Sequence, residues 1–383
     1  MGVRVSPCAL VWYHTHMVRP RLPKNVQELV HWYERYVSPI SLVAGFLADN
    51  LFLLRRVDLL RSNLLLFSYL VIAALGIFLI NMVESGKARA PWLLKIAPLI
   101  SVIVQFSFGG LFSGYLSLYS RSAALPASWV FVVVLAALLL GNERFVRLYT
   151  RFSFQVTLYF TVLFSFFIFF LPVVFHQIGP YMFIASGVAA FVVVALFARL
   201  MRFFMPELVK RERMRTLRAI VVVFLAFNAL YFLGFIPPLP LAVKDAGVYH
   251  SVTRETDGTY LLEGEATPWW DVIFPYDPTF HRTAGETVYV WSAVFAPSGL
   301  STSILHVWQR YDDVSRQWVT VSTFGFPING GRDGGYRGYS NKTDISAGAW
   351  RVNVTTQYGQ LIGRISFSVV DASTSPDLVE TTK

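Results

Sequence analysis

Before residue 240 the chain is a succession of apolar runs, and these decide what it can fold into. They are Ile40–Leu54, Leu64–Val83, Leu93–Leu118, Trp129–Leu140, Phe154–Phe175, Tyr181–Leu200 and Leu217–Ile236. A helix needs about 20 apolar residues to cross the hydrocarbon of a bilayer. Inside it the backbone has no water to bond, so only structures that satisfy their own N–H and C=O groups survive. The first and fourth runs are short, and the first also contains Asp49 and Asn50. Charged residues make up 15% of the chain, against about 25% in an ordinary soluble domain. The expected fold class is an α-helical membrane bundle of about seven transmembrane helices, followed by an all-β antiparallel sandwich domain.

Charge divides the same way. Up to residue 239 there are 22 Lys and Arg against 8 Asp and Glu; from Pro240 onward there are 11 against 15. A pI near 9.7 would suit a nucleic-acid partner. The basic excess, however, lies in short loops between apolar runs, where it sets membrane orientation, so no nucleic acid is expected. With seven spans and a cytoplasmic N-terminus, the inner loops hold Lys87 and Arg89, then Arg144, Arg147 and Arg151, then Arg202, Lys210, Arg211, Arg213, Arg215 and Arg218. The outer loops hold Arg121 and, against the rule, Arg55, Arg56 and Arg61. The Arg202–Arg218 cluster directs the last span outward in any count. The expectation is a multi-pass inner (cytoplasmic) membrane protein with a periplasmic C-terminal domain. The single cysteine, Cys8, excludes an intrachain disulfide and a Cys-rich metal site, which is compatible with a periplasm.

Five segments follow. Residues 1–37 read as a cytoplasmic segment, with Val26–Val37 an interfacial amphipathic helix carrying Trp32, Tyr33 and Tyr36. Residues 38–236 form the transmembrane helical domain. Its Gly110 and Gly114 make a GxxxG step, read as packing within one bundle rather than dimerisation, and Pro98 and Pro172 are candidate kinks. Residues 237–244, with PPLPL, read as a stiff linker holding the next domain off the membrane. Residues 245–371 form the β domain, with strands at Thr259–Glu265, Thr287–Phe295, Ser303–Arg310, Gln317–Phe324, Ala349–Thr355 and Gln360–Val370. Residues 372–383 read as a flexible tail.

The stretch from Gly330 to Val370 is the most patterned. Trp350, Val352 and Val354 share one strand face, opposite Arg351, Asn353 and Thr355. Leu361, Ile365, Phe367 and Val369 fall on one face of the last strand, opposite Gln360, Ile362, Arg364, Ser366 and Ser368. Tyr358–Gly359 is the expected turn between the two strands, and Gly348 the expected strand entry. The glycines of GGRDGGYRG lie between strands and open no helix, so they read as a turn, not a phosphate cradle.

These elements resemble the C-terminal domain of an uncharacterised bacterial inner-membrane protein family, domain of unknown function 2914. The resemblance rests on Trp308, Gly330–Gly331, Arg337–Ser340–Lys342, Gly348–Trp350–Val352 and Gly359–Gly363–Phe367. The N-terminal stretch Gly45–Asn50 with Leu54–Asp58 is similar to the membrane half that accompanies this domain. Tyr336 and Tyr339 depart from the aromatic pattern the family sets around its Arg and Ser. The resemblance implies an inner-membrane protein of Gram-negative bacteria and implies no activity.

Catalytic and metal signatures are missing: there is no HExxH, CxxC, P-loop or GxSxG. His14, His16 and Cys8 sit on a terminus without preformed metal geometry, so no metal and no cofactor is expected. His250, His281 and His306 read as structural or surface residues. The candidate ligand-binding set is Trp308, Arg310, Arg332, Tyr336, Arg337, Tyr339, Lys342 and Arg351. Grouped on one sheet face, these residues would stack on sugars and grip acidic groups through forked hydrogen bonds. The alternative is a core role for Trp308 and Trp350 beside a solvated arginine face.

The leading reading is therefore a membrane-anchored binding module for a protein, glycan or envelope component. A second reading is a transporter or channel-like bundle with a regulatory β-sandwich. It is weakened by the scarcity of polar residues in the spans beyond Asp49, Asn50, Gln105, Gln155 and Asn228, and by the lack of an internal repeat. A third is a membrane enzyme acting on lipid-linked substrates through Asp271, Asp277 and His281. The intramembrane polar set Asp49, Asn50, Arg55 and Arg56 reads as an ion-paired helix end, because a charge within a span is costly and is usually paired. Replacing Asp49 by Asn should then lower the yield of assembled protein in the membrane fraction. Normal assembly with a transport defect would assign the group to an ion pathway instead.

Overall fold

The computed structural model describes residues 60–88, 90–122, 125–142, 148, 151–266 and 277–383. The expected first span, the segment 1–37, the polar set Asp49, Asn50, Arg55 and Arg56, and Asp271 lie outside the described residues. Among the described residues six helices come first: α1 Leu60–Glu84, α2 Pro91–Ser122, α3 Leu125–Asn142, α4 Phe152–Phe175, α5 Pro180–Phe204 and α6 Pro206–Phe232. Five of them are long and apolar enough to cross a membrane, and α3 is shorter. At 1.5 Å per residue, the 25 residues of α1 span about 37 Å. The chain is a multi-pass membrane protein. Each expected run from Leu64 onward is found as a helix, extended by a few residues at one or both ends. The exception is the C-terminal end of the last run, where α6 stops at Phe232 and its helix starts eleven residues early, at Pro206. Both α5 and α6 begin with a proline in the first turn, where its missing N–H costs nothing.

Polar side chains in the bundle are spent on holding helices together. Asn81 Nδ2 donates to Gln155 Oε1 at 2.5 Å, tying α1 to α4. Asn142 Nδ2 donates to the Gln105 carbonyl at 3.0 Å, tying α3 to α2. Tyr115 and Tyr119 on α2 donate to the carbonyls of Val162 and Ser165 on α4. Asn228 bonds back to Phe224 on its own helix. Gly110 faces Tyr69 on α1, so its role is packing inside the bundle. Pro98 and Pro172 lie within continuous helices. Helices α4 and α5 also pack closely, and the buried Ser186 donates to the Phe167 carbonyl at 3.0 Å. Beside it a Cβ on Gly187 would come within 2.6 Å of Phe224 and 2.8 Å of Phe164. Small residues at such a crossing let two backbones approach.

Eleven strands follow among the described residues: β1 Ala242–Tyr249, β2 Ser251–Arg254, β3 Tyr260–Glu265, β4 Thr279–Arg282, β5 Val288–Phe295, β6 Ser301–Asp312, β7 Gln317–Asn329, β8 Tyr336–Lys342, β9 Gly348–Thr356, β10 Leu361–Asp371 and β11 Leu378–Thr382. They form three sheets, ordered β4-β10-β9-β6-β7, β1-β5-β8 and β11-β3-β2. The pairing is not wholly antiparallel: β4 runs parallel to β10. The large sheet and the β1-β5-β8 sheet share one core, with Val288, Val290 and Val294 on one side and Trp308, Trp350, Val352, Phe367 and Val369 on the other. The third sheet covers the opposite face of β5 through Val252, Tyr260 and Leu262 against Trp291 and Ala293.

Two expectations at the ends of this domain are corrected. The tail after Asp371 is not loose: β11 pairs antiparallel with β3, and Lys383 exchanges backbone hydrogen bonds with Tyr260. The PPLPL segment is not an exposed spacer. Ile236, Leu239 and Leu241 are all buried, and Ile236 and Leu239 belong to the same apolar core as the helices. The segment has no charged side chain to keep it in water, so it is buried where the two halves meet. On the same seam the Tyr358 ring lies on Gly179, where an added Cβ would come within 2.7 Å of it. His176 lies as closely against Gly299, and Ile178 packs on the β core.

Substituting Gly187 by Val should lower the melting temperature of the detergent-solubilised protein. The fully buried Phe164 ring has no room to withdraw, and overpacking of this kind costs about 1–3 kcal/mol. An unchanged melting temperature would refute the close α4–α5 crossing.

Candidate functional site

The residues expected to form one binding face are dispersed by the fold. Trp308 is fully buried between the sheets, and its Nε1 donates to Ser340 Oγ at 2.9 Å. It is core, because it alternates in step with the inward-facing Ile304 and His306 on β6. Trp350 is core as well. Arg310 leaves the core at the end of the same row and donates to Ser346 Oγ at 2.9 Å. Arg332 lies over the Tyr336 ring in the turn between β7 and β8. Lys342 Nζ donates to Ser322 Oγ at 3.2 Å. Arg337 and Tyr339 stand opposite Ala293 and Trp291 on the covered side of β5, where Tyr339 meets Tyr260 and Tyr289 edgewise or tilted. The run from Gly330 to Gly335 is a turn, closed by Gly335 N donating to the Arg332 carbonyl.

One of the set, Arg351, belongs to a constellation on the outer face of the large sheet. In the β9–β10 hairpin Arg351 stands opposite Ser366 and Asn353 opposite Arg364, as the alternation predicts, but a bulge between Leu361 and Gly363 turns Ile362, expected to face outward, into the core. Pairing of β6 with β9 brings Gln309 across from Arg351. Gln309 Oε1 accepts from Arg351 Nε at 2.8 Å and from Asn353 Nδ2 at 3.0 Å. Asn353 Oδ1 in turn accepts from Arg364 Nε at 2.7 Å. Amide side chains thus hold two guanidiniums side by side by their Nε–H groups. The Arg351 guanidinium lies over the Trp318 ring, 4.2 Å from its centroid, and Trp318 meets Tyr311 edgewise.

Among the described residues neither arginine makes an ion pair with a carboxylate. Burial, and then the charge of Arg364, press the Arg351 pKa down to about 10, and burial lowers that of Arg364. An anion placed between them would relieve both costs, and a guanidinium presents a fork that matches carboxylate and phosphate oxygens. Arg364, Gln309, Asn353, Trp318 and Tyr311 were not in the expected set. Strand alternation placed Arg351, Asn353 and Arg364 on outward faces, but only the β6–β7 and β6–β9 registers bring Gln309 and Trp318 beside them.

Two further polar clusters lie in the domain. His250 stacks on Phe280, and both ring nitrogens face carboxylates: Nδ1 lies 2.5 Å from Glu286 and Nε2 lies 3.3 Å from Glu265. Glu265 also accepts from the backbone and Nδ1 of His281, at 2.6 and 2.8 Å. Burial pushes Glu265 and Glu286 upward, but their hydrogen bonds outweigh it and hold both below the usual carboxylate range. The cluster fastens β3, β4 and the turn before β5 to one another. Asp277 is exposed and takes no part in it. The second cluster is internal: His306 Nε2 lies 2.9 Å from Ser292 Oγ and Nδ1 lies 2.9 Å from Ser340 Oγ, tying β6 to β5 and β8 across the core. Among the described residues no group of three or more His, Cys, Asp or Glu is arranged to hold a metal ion.

Residues 301–369, from the start of β6 almost to the end of β10, match the family described as Protein of unknown function (DUF2914). The chain carries a C-terminal DUF2914 domain. Both arginines, Trp318 and the buried His306 fall inside the matched segment. No curated protein matches the chain. Among solved structures, Pseudomonas fluorescens alkylpurine DNA glycosylase AlkC bound to DNA containing an abasic site analog aligns at 11% identity, over 79% of this chain and 97% of that one. The TM-score is 0.22, too low for a shared fold, and the likeness carries no weight.

Burial lowers the His306 pKa in the DUF2914 domain to about 4. The unfolded chain takes up a proton near pH 6.5, and the folded domain only near 4. Stability from this group is therefore fully present above pH 6.5 and is lost as pH falls toward 4, by roughly 3 kcal/mol in all. In denaturant titrations followed by tryptophan fluorescence, His306→Gln should flatten this part of the pH profile. Parallel profiles for the two proteins would rule the assignment out.

Proposed function

We propose that the protein is a membrane-anchored binding module whose β-rich domain, a β-sandwich with an added outer sheet, takes an acidic sugar on its large sheet. The observation that carries this reading is the Arg351–Arg364 pair, held by Gln309 and Asn353 beside Trp318. Aromatic rings stack on pyranose faces and the guanidiniums grip a carboxylate or phosphate substituent. The basic helix ends support an orientation with the β-rich domain on the periplasmic side of an inner membrane. Arg151, Arg211 and Arg215 gather around one cleft at the ends of α1, α4 and α6, while the seam with the β-rich domain is at the other end of α4 and α6. Basic residues favour the cytoplasmic side. A transport function gains no support from the bundle, where Gln105, Gln155 and Asn228 bond to helices rather than lining a path.

The test is binding of the full-length protein in nanodiscs to acidic and neutral oligosaccharides. Arg351→Gln with Arg364→Gln should weaken acidic ligands by at least about tenfold, as expected for losing hydrogen bonds to a charged group worth about 1.5–3 kcal/mol. Trp318→Ala should weaken acidic and neutral sugars alike. Equal binding by the double variant and the wild type, or no binding in either class, would end the proposal.

A further inference from the structure

The cleft at the basic end of the bundle has a volume of about 500 Å³ and lies between the C-terminal end of α1 and the N-terminal ends of α4 and α6. Its charged lining is Glu84, Arg151, Arg211, Glu212 and Arg215, with Asn81 from the helix interior. Arg211 leans on Glu212 at 3.5 Å. Arg151 and Arg215 are exposed, and among the described residues neither is in an ion pair. No side chain caps α4 or α6, so the positive ends of both dipoles are left without a capping group, although α6 opens on Pro206, which has no N–H, and carries Glu207 in its first turn. Asn81 supplies the independent observation. Its Nδ2 is committed to the Ile77 carbonyl and to Gln155 Oε1, which fixes the amide orientation. Among the described residues its Oδ1 is buried without any hydrogen-bond partner, although the residue lines the cleft. A buried acceptor left unmatched costs about 1–3 kcal/mol, which a donor brought by a ligand would recover.

We infer that this cleft binds a phosphate ester whose headgroup also carries a hydroxyl or amine donor, the chemistry of a phospholipid headgroup. Arg151 and Arg215 and the two helix ends take the phosphate oxygens. Asn81 Oδ1 and the Glu84 and Glu212 carboxylates take the donor. The position fits: α1 is about 37 Å long against a hydrocarbon layer of about 30 Å, so its end stands at headgroup depth. The same chemistry is offered by a soluble glycerophosphate, and the measurement separates the two sources.

The full-length protein in detergent is titrated with short-chain phosphatidylglycerol, phosphatidylethanolamine and phosphatidylcholine, and with glycerol 3-phosphate, and binding is read by native mass spectrometry and thermal shift. The expected result is retention of phosphatidylglycerol and phosphatidylethanolamine over phosphatidylcholine, which has the phosphate but no donor. Arg151→Gln with Arg215→Gln should weaken that retention at least tenfold without changing the melting temperature of the lipid-free protein, because both side chains are exposed and, among the described residues, outside any ion pair. Glycerol 3-phosphate binding as tightly as the lipids, with the same loss in the double variant, would keep the chemistry and assign a soluble source. Equal retention of all three lipids, or undiminished binding by the double variant, would overturn the inference.

Discussion

The two halves of this protein are joined by burial rather than by a tether. The exit from the last helix runs straight into apolar packing: Ile236 and Leu239 belong to the bundle core, Leu241 belongs to the sheet core, and Phe295 at the end of β5 is counted with the helices. An apolar chain leaving a membrane has two choices, to gain charge and enter water or to stay covered. Here it stays covered. The α4–α5 turn closes the other side of the seam, with His176 against Gly299, Ile178 on the β core and Tyr358 on Gly179. The bundle and the sheets are thus fixed against each other at several points, and neither can swing on a free hinge.

Inside the β-rich domain, specificity of pairing comes from polar groups placed where apolar ones would be indifferent. His306 bridges Ser292 on β5 and Ser340 on β8, and Trp308 adds a bond to the same Ser340. Slipping a strand by two residues, which keeps the same face inward, would leave these groups buried without partners, at a cost that a purely aliphatic core would not impose. The Glu286–His250–Glu265–His281 chain does the same at the periphery for β4, whose four residues pair with only one neighbour in the sheet.

Where alternation is strong, the sequence was legible almost to the residue. Trp350, Val352 and Val354 against Arg351 and Asn353 marked β9, and the Tyr358–Gly359 turn followed. The strands missed are those without such a pattern. Tyr336–Lys342 reads YRGYSNK, and its inward residues are Tyr336, Gly338 and Ser340, too polar to stand out. Thr279–Arg282 has four residues, and Leu378–Thr382 is exposed along its length, so neither carries a core signature. The prolines of PPLPL suggest a stiff spacer, whereas its lack of any charge points to the burial that the structure shows. Of the two roles the sequence leaves open for Trp308, binding face or core, its parity with Ile304 and His306 selects the core. Arg351 stands out in the sequence, but the Trp318 ring beneath it lies 33 positions away, and only strand register brings the two together.

The hairpin that carries Arg351 and Arg364 is also the one whose turn rests on the membrane half. Tyr358 lies on Gly179, and Arg351 is seven residues before it along β9. At about 3.3 Å per residue in a strand, the arginine pair stands no more than about 23 Å from that contact. A ligand anchored in the same bilayer would therefore need only a short spacer to reach the face, whereas a polymer lying farther out would have to send a branch inward. Height above the anchor, as much as charge, sorts what this surface can meet.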